Sequence, residues 1–439
     1  MRPAELTAGL AGFERRGPGT DAERRAARWL SRELRADAEQ VKAGDQKVKI
    51  EPFWCRPDWA LAHAWHVALA LAGSLLSVSH PVIGAACLTA ALVSIVSDAL
   101  IGVSPGRRLT PERASQNVVV STAPPGNEPP IAQNKPATLV VTANYDAGRT
   151  ALVYRDPLRR PAAALRRIAG PLALGWLGCV AIAILWLLAT AVIRITANNP
   201  PSALGAVQLA PSIGLVLALA LLLEAAGAAY GPAAGDNASG TAAAVALVRV
   251  LKDRPPHNVG IELVLQGAGE GNEIGLRSHL RTHRRPHNTI VLGIAPCGSG
   301  EPHWWESDGR LIPIPYSRRI RALARATAND LAQPHRGRGG TPASPATTRR
   351  LPAIAIGNLD PRGLAPRSHQ RNDTPRSNQR NDTPETADGN SRDGYSRDGY
   401  ALDGYALDRA VELGLSLVHA IDAALEPEPA TSDPAATPA

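Results

Sequence analysis

Four apolar segments set the plan of this 439-residue chain. They run approximately over Trp59–Ser79, Pro81–Val103, Pro171–Ile193 and Pro211–Ala229. Each approaches the roughly 20 residues that an α-helix needs to cross a bilayer. They come in two pairs, the first broken only at His80 and the second by a polar stretch around Asn198–Gln208. Buried core helices would not recur as two such closely spaced pairs, so two transmembrane hairpins are expected. Residues 1–50 are charged and partly helical, and no signal peptide is expected there. Arg56, Arg107, Arg108, Arg159, Arg160, Arg166 and Arg167 lie on the side shared by both termini, with Arg194 on the other. The positive-inside rule then places the large polar portion in the cytoplasm.

Composition narrows the partners. The net charge of +8 comes from basic residues that are scattered or flank the spans, and aromatics make up only 4% of the chain. No aromatic residues are interleaved with a basic stripe, so nucleic acid is excluded as a partner and the lipid bilayer is the expected one. Apolar mass comes mostly from Ala, Val and Leu, and Arg outnumbers Lys; this is the usage of a high-GC bacterial genome, so the expected location is the inner membrane of a bacterial cell. Cys55, Cys87, Cys179 and Cys297 stand far apart. They form neither a disulfide frame nor a zinc cluster, and read as small apolar residues in a reducing compartment. Nothing in the pattern fixes an oligomeric state.

The polar remainder alternates strand and helix patterns. Thr20–Gln40 is an amphipathic helix, with Ala22, Ala26, Trp29, Leu30 and Leu34 near one face. Val48–Phe53, Asn117–Ser121, Thr138–Ala143, Val259–Gln266, Thr289–Ala295 and Ala353–Gly357 are β-branched runs suited to a sheet. Helices are expected at Ser239–Leu251, Ile274–Thr282, Ser317–Leu331 and Ala406–Leu425. The alternation predicts an α/β three-layer sandwich with a mixed, largely parallel central sheet, interrupted by the two hairpins. The domain would occupy 1–58, 104–170 and 230–425, the hairpins 59–103 and 171–229. Gln333–Arg350 reads as an irregular insert, and 370–405 as a duplicated loop (Gln370–Pro375 recurs as Gln379–Pro384). The tail 426–439 is expected to be disordered.

The chemistry-bearing segments lie within this domain. Gly235-Asp236-Asn237-Ala238-Ser239-Gly240 follows the fourth span and precedes an Ala/Val/Leu helix, whose first turn Asp236 or Asn237 is expected to cap. An earlier strand ends in Thr142-Ala143-Asn144-Tyr145-Asp146 and a later one in Gly267-Ala268-Gly269-Glu270; Ser368-His369 with Asp373-Thr374-Pro375 lies near the C-terminus. In this order the segments resemble the zinc aminopeptidases of clan MH, the group of bacterial leucyl aminopeptidases and glutamate carboxypeptidase. The resemblance covers roughly residues 15–58, 105–165 and 230–425. The split by hairpins is similar to membrane-embedded actinobacterial relatives of that clan.

The resemblance implies a site at the C-terminal edge of the sheet. In the family two zinc ions are bridged by an aspartate, which Asp236 matches, and a C-terminal histidine ligand matches His369. The aspartate that steers a histidine ligand matches Asp146, but that histidine is replaced by Asn144, whose amide oxygen is a poor zinc ligand. The second private ligand would fall at Ala295-Pro296-Cys297-Gly298, which carries no carboxylate; Cys297 is expected to be a buried turn residue. The family's Glu-Glu pair, general base then ligand, falls on Gly269-Glu270 counted from the strand. Counted back from Ile274 it falls on Asn272-Glu273. Either way one carboxylate remains and the base is unmatched. The implied site is one zinc held by Asp236, His369 and Glu270 (or Glu273) in a domain that has lost dinuclear catalysis and binds peptides or acts as a scaffold. The alternative is an aminopeptidase working with a reduced, single-metal site.

Other polar residues have quieter expected roles. His63 and His66, one turn apart in the first span, are expected to be water-facing at the membrane boundary. Asp98 and Glu224 would contact the domain where the chain leaves lipid. His303-Trp304-Trp305 is expected as a loop whose aromatics pack or cover the cleft.

Overall fold

A computed structural model describes residues 1–40, 46–122, 137–170, 173–199, 201–283, 288–328, 330–375 and 403–425. The repeats beyond Pro375 and the tail beyond Leu425 lie outside the described residues. Within them, nine strands form one mixed sheet: β1 (Gln46–Cys55), β2 (Arg113–Thr122), β3 (Ala137–Asn144), β4 (Val259–Gln266), β5 (Thr289–Ile294), β6 (Glu301–Asp308), β7 (Ile314–Pro315), β8 (Gln333–Arg336) and β9 (Ala353–Leu359). Their order is β1-β2-β4-β3-β5-β9-β6-β7, with β8 beside β6. The central four, β4-β3-β5-β9, run parallel. On one flank β1, β2 and β4 pair antiparallel, and on the other β6 is antiparallel to β9. β1 and β2 stay in register from Gln46 opposite Thr122 to Cys55 opposite Arg113.

The strands separate two apolar layers with period two. Val118 and Val120, Leu139 and Val141, Leu263 and Leu265, Ile354 and Ile356 face one layer. There they meet α1 (Pro3–Ala11), α2 (Asp21–Gln40), α9 (Gly240–Asp253), α11 (Arg318–Ala328) and α13 (Gly404–Ala423). The alternate residues, Val119, Val140, Val264, Ala353 and Ala355, face α10 (Ile274–Thr282) and α12 (Ser344–Thr348). All of β3 is buried, as expected of a parallel strand covered on both faces.

Among the described residues, four helices are long and apolar enough to cross a membrane: α3 (Trp59–Ser79), α4 (Pro81–Ile101), α7 (Trp176–Thr196) and α8 (Leu204–Gly227). They pack into a bundle around Val67, Leu88, Ile95, Ile184 and Leu215. Leu75, Val82 and Leu217 point outward. The α3–α4 crossing is close because Gly84 lies on the Ser77 backbone, where a Cβ would come within 2.5 Å of Ser77 Cα. α5 (Pro105–Arg108) leads from the first hairpin to β2, and α6 (Asp156–Ala169) lies ahead of α7.

Several expectations need correction. The third span starts at Trp176, not Pro171. The fourth starts at Leu204 and carries Pro211 inside it. A residue-211 N–H would have bonded the Val207 carbonyl; the Trp186 indole N–H from α7 bonds it instead, at 3.2 Å. His63 and His66 do not face water. Both are buried, with His63 Nε2 3.4 Å from Asp98 and Ser94 Oγ 2.7 Å from His66 Nε2. Asp98 in turn takes two bonds from the Arg107 guanidinium, at 2.6 and 2.8 Å. As expected, Asp98 and Glu224 do tie spans to neighbouring segments: the Asp98 carbonyl accepts from Asn272, and the Glu224 carboxylate from Leu152 N–H. His303-Trp304-Trp305 belongs to β6, not to a loop. Trp304 packs into one apolar layer and Trp305 into the other, because an interior strand buries successive residues on opposite faces. The insert 333–350 contains β8 and α12.

Candidate metal centre

β3 and β4 end side by side, with Asn144 opposite Gln266, so the segments that follow them are neighbours at the carboxyl edge of the sheet, where open α/β sheets place ligands. Beyond β3 the fully buried Asp146 accepts hydrogen bonds from Gly269 N–H and Glu270 N–H, both 3.0 Å. Burial pushes its carboxyl up to about 7 against the pull of those donors. The residue expected to orient a ligand therefore holds the backbone beneath Glu270. Glu23 on α2 grips the same loop through Ala268 N–H, and also accepts from Ser115 Oγ and Gly19 N–H. Burial and the charge of Asp146 push Glu23 up to about 8. Buried Arg16 bonds the carbonyls of Tyr145, Pro232 and Ala233, tying the end of β3 to the segment that carries Asp236.

Asp236 lies in the irregular turn Ala234–Ser239 ahead of α9, and its bond to Asn237 is a cis peptide. Neither residue caps the helix, contrary to expectation. Asn237 donates to the Ile294 carbonyl, and Asp236 is turned into the site. Asp373 fixes that turn by accepting from Gly235 N–H and Asp236 N–H at 2.7 and 3.0 Å. Ser368 Oγ donates to Asp236 Oδ2.

His369 stands beside both carboxylates. Its Nε2 is 3.7 Å from Asp236 Oδ2 and 3.5 Å from Glu270 Oε2. Its ring stacks on Tyr154, with centroids 4.1 Å apart and planes at 13°. Gly148 makes the room: a Cβ there would sit 2.0 Å from His369 Cε1. Burial lowers the His369 pKa, opposed by Asp236. Burial together with the Asp236 and Asp146 charges pushes Glu270 well above the carboxylate range. Glu273 turns elsewhere. It accepts from Arg310 at 3.1 Å and from Ser344 at 3.3 Å.

The remaining positions lack donors suited to zinc. The Asn144 side chain is buried, and its Oδ1 has no hydrogen-bond partner among the described residues. It fills the space beside Gly269, where a Cβ would lie 2.3 Å from Asn144 Cγ. No carboxylate stands at Ala295. Cys297 is buried with its thiol against the Ala295 carbonyl, and burial pushes the thiol up.

One imidazole and two carboxylates suit a zinc ion. Bonds of about 2.0–2.2 Å in a tetrahedral site put donor atoms about 3.4 Å apart, and His369 Nε2 is close to that distance from each carboxylate. The three donors do not all lie within 4.8 Å of one another, so a bound ion would have to pull Asp236 and Glu270 together. The donors are also crowded acids, a charge excess that a cation relieves. Arg16, Glu23 and Tyr154 were not singled out from the sequence, and no local pattern marks them; Ser368 and Asp373 stood in the motif around His369 with no role assigned.

A second donor group lies on the α10 face of the sheet, where His279 comes within 3.7 Å of Glu262 in the middle of β4. Glu51 of β1 meets His279 Nδ1 at 3.0 Å and His283 Nε2 at 3.4 Å, and the three donors are close enough to share an ion. The sequence reading did not single it out, although His279 and His283 are one helical turn apart.

No protein-family model matches the chain, and comparison with curated sequences finds no match. Solved structures with similar shape include a zinc aminopeptidase from Bacillus subtilis, 12% identical, covering 95% of this chain and 94% of its own at a TM-score of 0.49. LapB from Legionella pneumophila is 10% identical, covering 96% and 71% at 0.48. A glutaminyl cyclase from Porphyromonas gingivalis is 13% identical, covering 96% and 97% at 0.43.

Proposed function

We propose that the chain is a multi-pass membrane protein whose aminopeptidase-like domain lies on the cytoplasmic side and binds peptides, or scaffolds a partner, without cleaving them. One zinc ion would be held by Asp236, Glu270 and His369. The observation that carries this reading is the pair Asn144 and Gly269. On the alignment that puts the family's pair at Gly269-Glu270, the general-base position has no side chain, and the neighbouring amide fills the space one would need. Peptide hydrolysis needs a group to take the proton from the attacking water, and the fold keeps none there.

What remains suits binding. Asp146 and Glu23 fix the loop of Glu270, Asp373 fixes the turn of Asp236, and Tyr154 holds the His369 ring flat. Zinc, when bound, would supply positive charge for a carbonyl or carboxylate oxygen of a peptide terminus. The test is zinc content per chain by elemental analysis, run alongside release of N-terminal residues from aminoacyl substrates. About one equivalent, lost in His369→Ala and kept in His283→Ala, with no release of residues, supports the reading. Turnover that disappears in His369→Ala would establish the single-metal aminopeptidase instead. Absence of zinc from the wild-type chain would sink the metal centre.

A further inference from the structure

A cavity of about 560 Å³ opens between α6, the start of β6, β8 and the turn after β9. Its lining is basic: Arg166 and Arg167 come from α6, Arg336 (ion-paired with Glu306 at 3.0 Å) and Arg338 from β8 and just beyond, and Arg362 from the turn. His303 and His335 join them. The two lining carboxylates are engaged elsewhere. Glu301 pairs with Arg409, and Asp360 accepts from the N–H groups of Arg362 and Leu364.

Arg338 is the telling member. It is buried, only 8% exposed, and its Nε and Nη1 donate to the Ala173 and Gly337 carbonyls. Among the described residues no carboxylate forms an ion pair with it. Its hydrogen bonds go to carbonyls, and the nearby Asp308, without an ion-pair contact, offsets only part of its charge. His335 registers the same field: burial, with His303, Arg338 and Arg166 nearby, lowers its pKa to about 4. It therefore remains a neutral imidazole, able to donate a hydrogen bond to an anion.

Position adds a second argument. α6 carries Arg159, Arg160, Arg166 and Arg167 but leaves Leu165 and Ile168 exposed, Ile168 at 84%. Ala173, which holds Arg338, stands just ahead of membrane helix α7. An amphipathic basic helix joined to a span lies in the headgroup layer.

We propose that this cavity binds a phosphate-bearing anion at the membrane–water boundary. Guanidinium forks match phosphate oxygens in charge and geometry, and the volume falls in the range of small-ligand sites. The anion comes either from an anionic phospholipid headgroup or from a soluble phosphate compound. The boundary location rests on the membrane reading above; the anion site itself does not.

The test uses the full chain in phosphatidylcholine nanodiscs. Thermal stability is read during titration with inorganic pyrophosphate, against sodium chloride at matched ionic strength, and in parallel with phosphatidylglycerol in the disc. Saturable stabilisation by pyrophosphate marks a soluble ligand; stabilisation by phosphatidylglycerol, with lipid retained in native mass spectra, marks the headgroup. Arg166→Gln with Arg336→Gln, both exposed side chains, is expected to weaken the response at least about tenfold, while Arg28→Gln on α2 leaves it unchanged. Arg362→Gln, also exposed, serves as a second variant should the pair fail to fold. No response beyond chloride, or equal weakening in Arg28→Gln, overturns the proposal. A chain that stays soluble without lipid overturns the membrane reading alone, and the pyrophosphate arm then runs in buffer.

Discussion

A single methyl group at residue 269 would collide with Asn144, so the two positions act as one. Gly269→Ala is expected to cost about 1–3 kcal/mol by overpacking, and Asn144→Gly on that background to restore most of it. Denaturant unfolding of the four proteins of the cycle measures the coupling. Gly148→Ala acts differently, because it pushes against the ring of His369; zinc content should fall while the far-ultraviolet circular dichroism is unchanged. Glu23 supplies a pH test. Its carboxyl, raised to about 8 by burial and Asp146, keeps its proton in the folded domain where an unfolded glutamate, near 4.3, has lost it. The folded state therefore binds more protons between about pH 4 and 8, and stability falls as pH rises through that window. Melting points of metal-free protein at pH 5 and pH 8 should show the fall, with a smaller difference in Glu23→Gln. An unchanged difference in the variant would refute the assignment. Asp236 and Glu270 were legible because they stand in short motifs at element boundaries, and His369 because of the motif around it in the irregular stretch after β9. Arg16 and Glu23 were illegible for a physical reason: they act on backbone groups some two hundred residues away, and no local spacing encodes that.

Elements were legible wherever periodicity was undisturbed. β4 and α10 lie where the alternation and the 3.6-residue pattern put them. β6 was missed because Pro302 and the adjacent tryptophans break the alternation, and Glu301, His303, Glu306, Ser307 and Asp308 make the segment read as a polar loop. The start of α8 was missed because Pro211 looks like a first-turn residue, and only the indole of Trp186 on another helix makes an interior proline tolerable. The histidines of α3 were misread because their partners, Ser94 and Asp98, lie on α4. That cluster gives an element-scale prediction. Arg107→Met leaves Asp98 buried without its cation and should destabilise the chain by about 3–5 kcal/mol. Asp98→Leu added to it should recover part of the loss, since neither charge then remains. Thermal unfolding in detergent compares the three.

Across the whole molecule, the bundle and the sheet interlock rather than follow one another. The α7–α8 hairpin interrupts the chain between β3 and β4, which are adjacent parallel strands, and α3–α4 interrupts it between β1 and β2. Topology predicts the accessibility of thiols in a cysteine-free background. Ser202→Cys, in the α7–α8 connection, should react with an impermeant reagent on intact cells, and Arg28→Cys only after lysis; the reverse pattern would invert the orientation. The unbroken β1–β2 register has a consequence of its own. Cys55 and Arg113 already face each other, so for the sheet everything between them is a detour that a tight turn could replace. Closing the long path instead of a short one costs the chain roughly 2 kcal/mol of entropy. The detour nonetheless returns something to its neighbour: Arg107 bonds the Gly271 carbonyl, and Asn272 and Arg277 reach back to the carbonyls of Asp98 and Leu100. A shortened chain would keep its sheet and lose the clamp on the loop that presents Glu270, leaving an intact fold with a slack site.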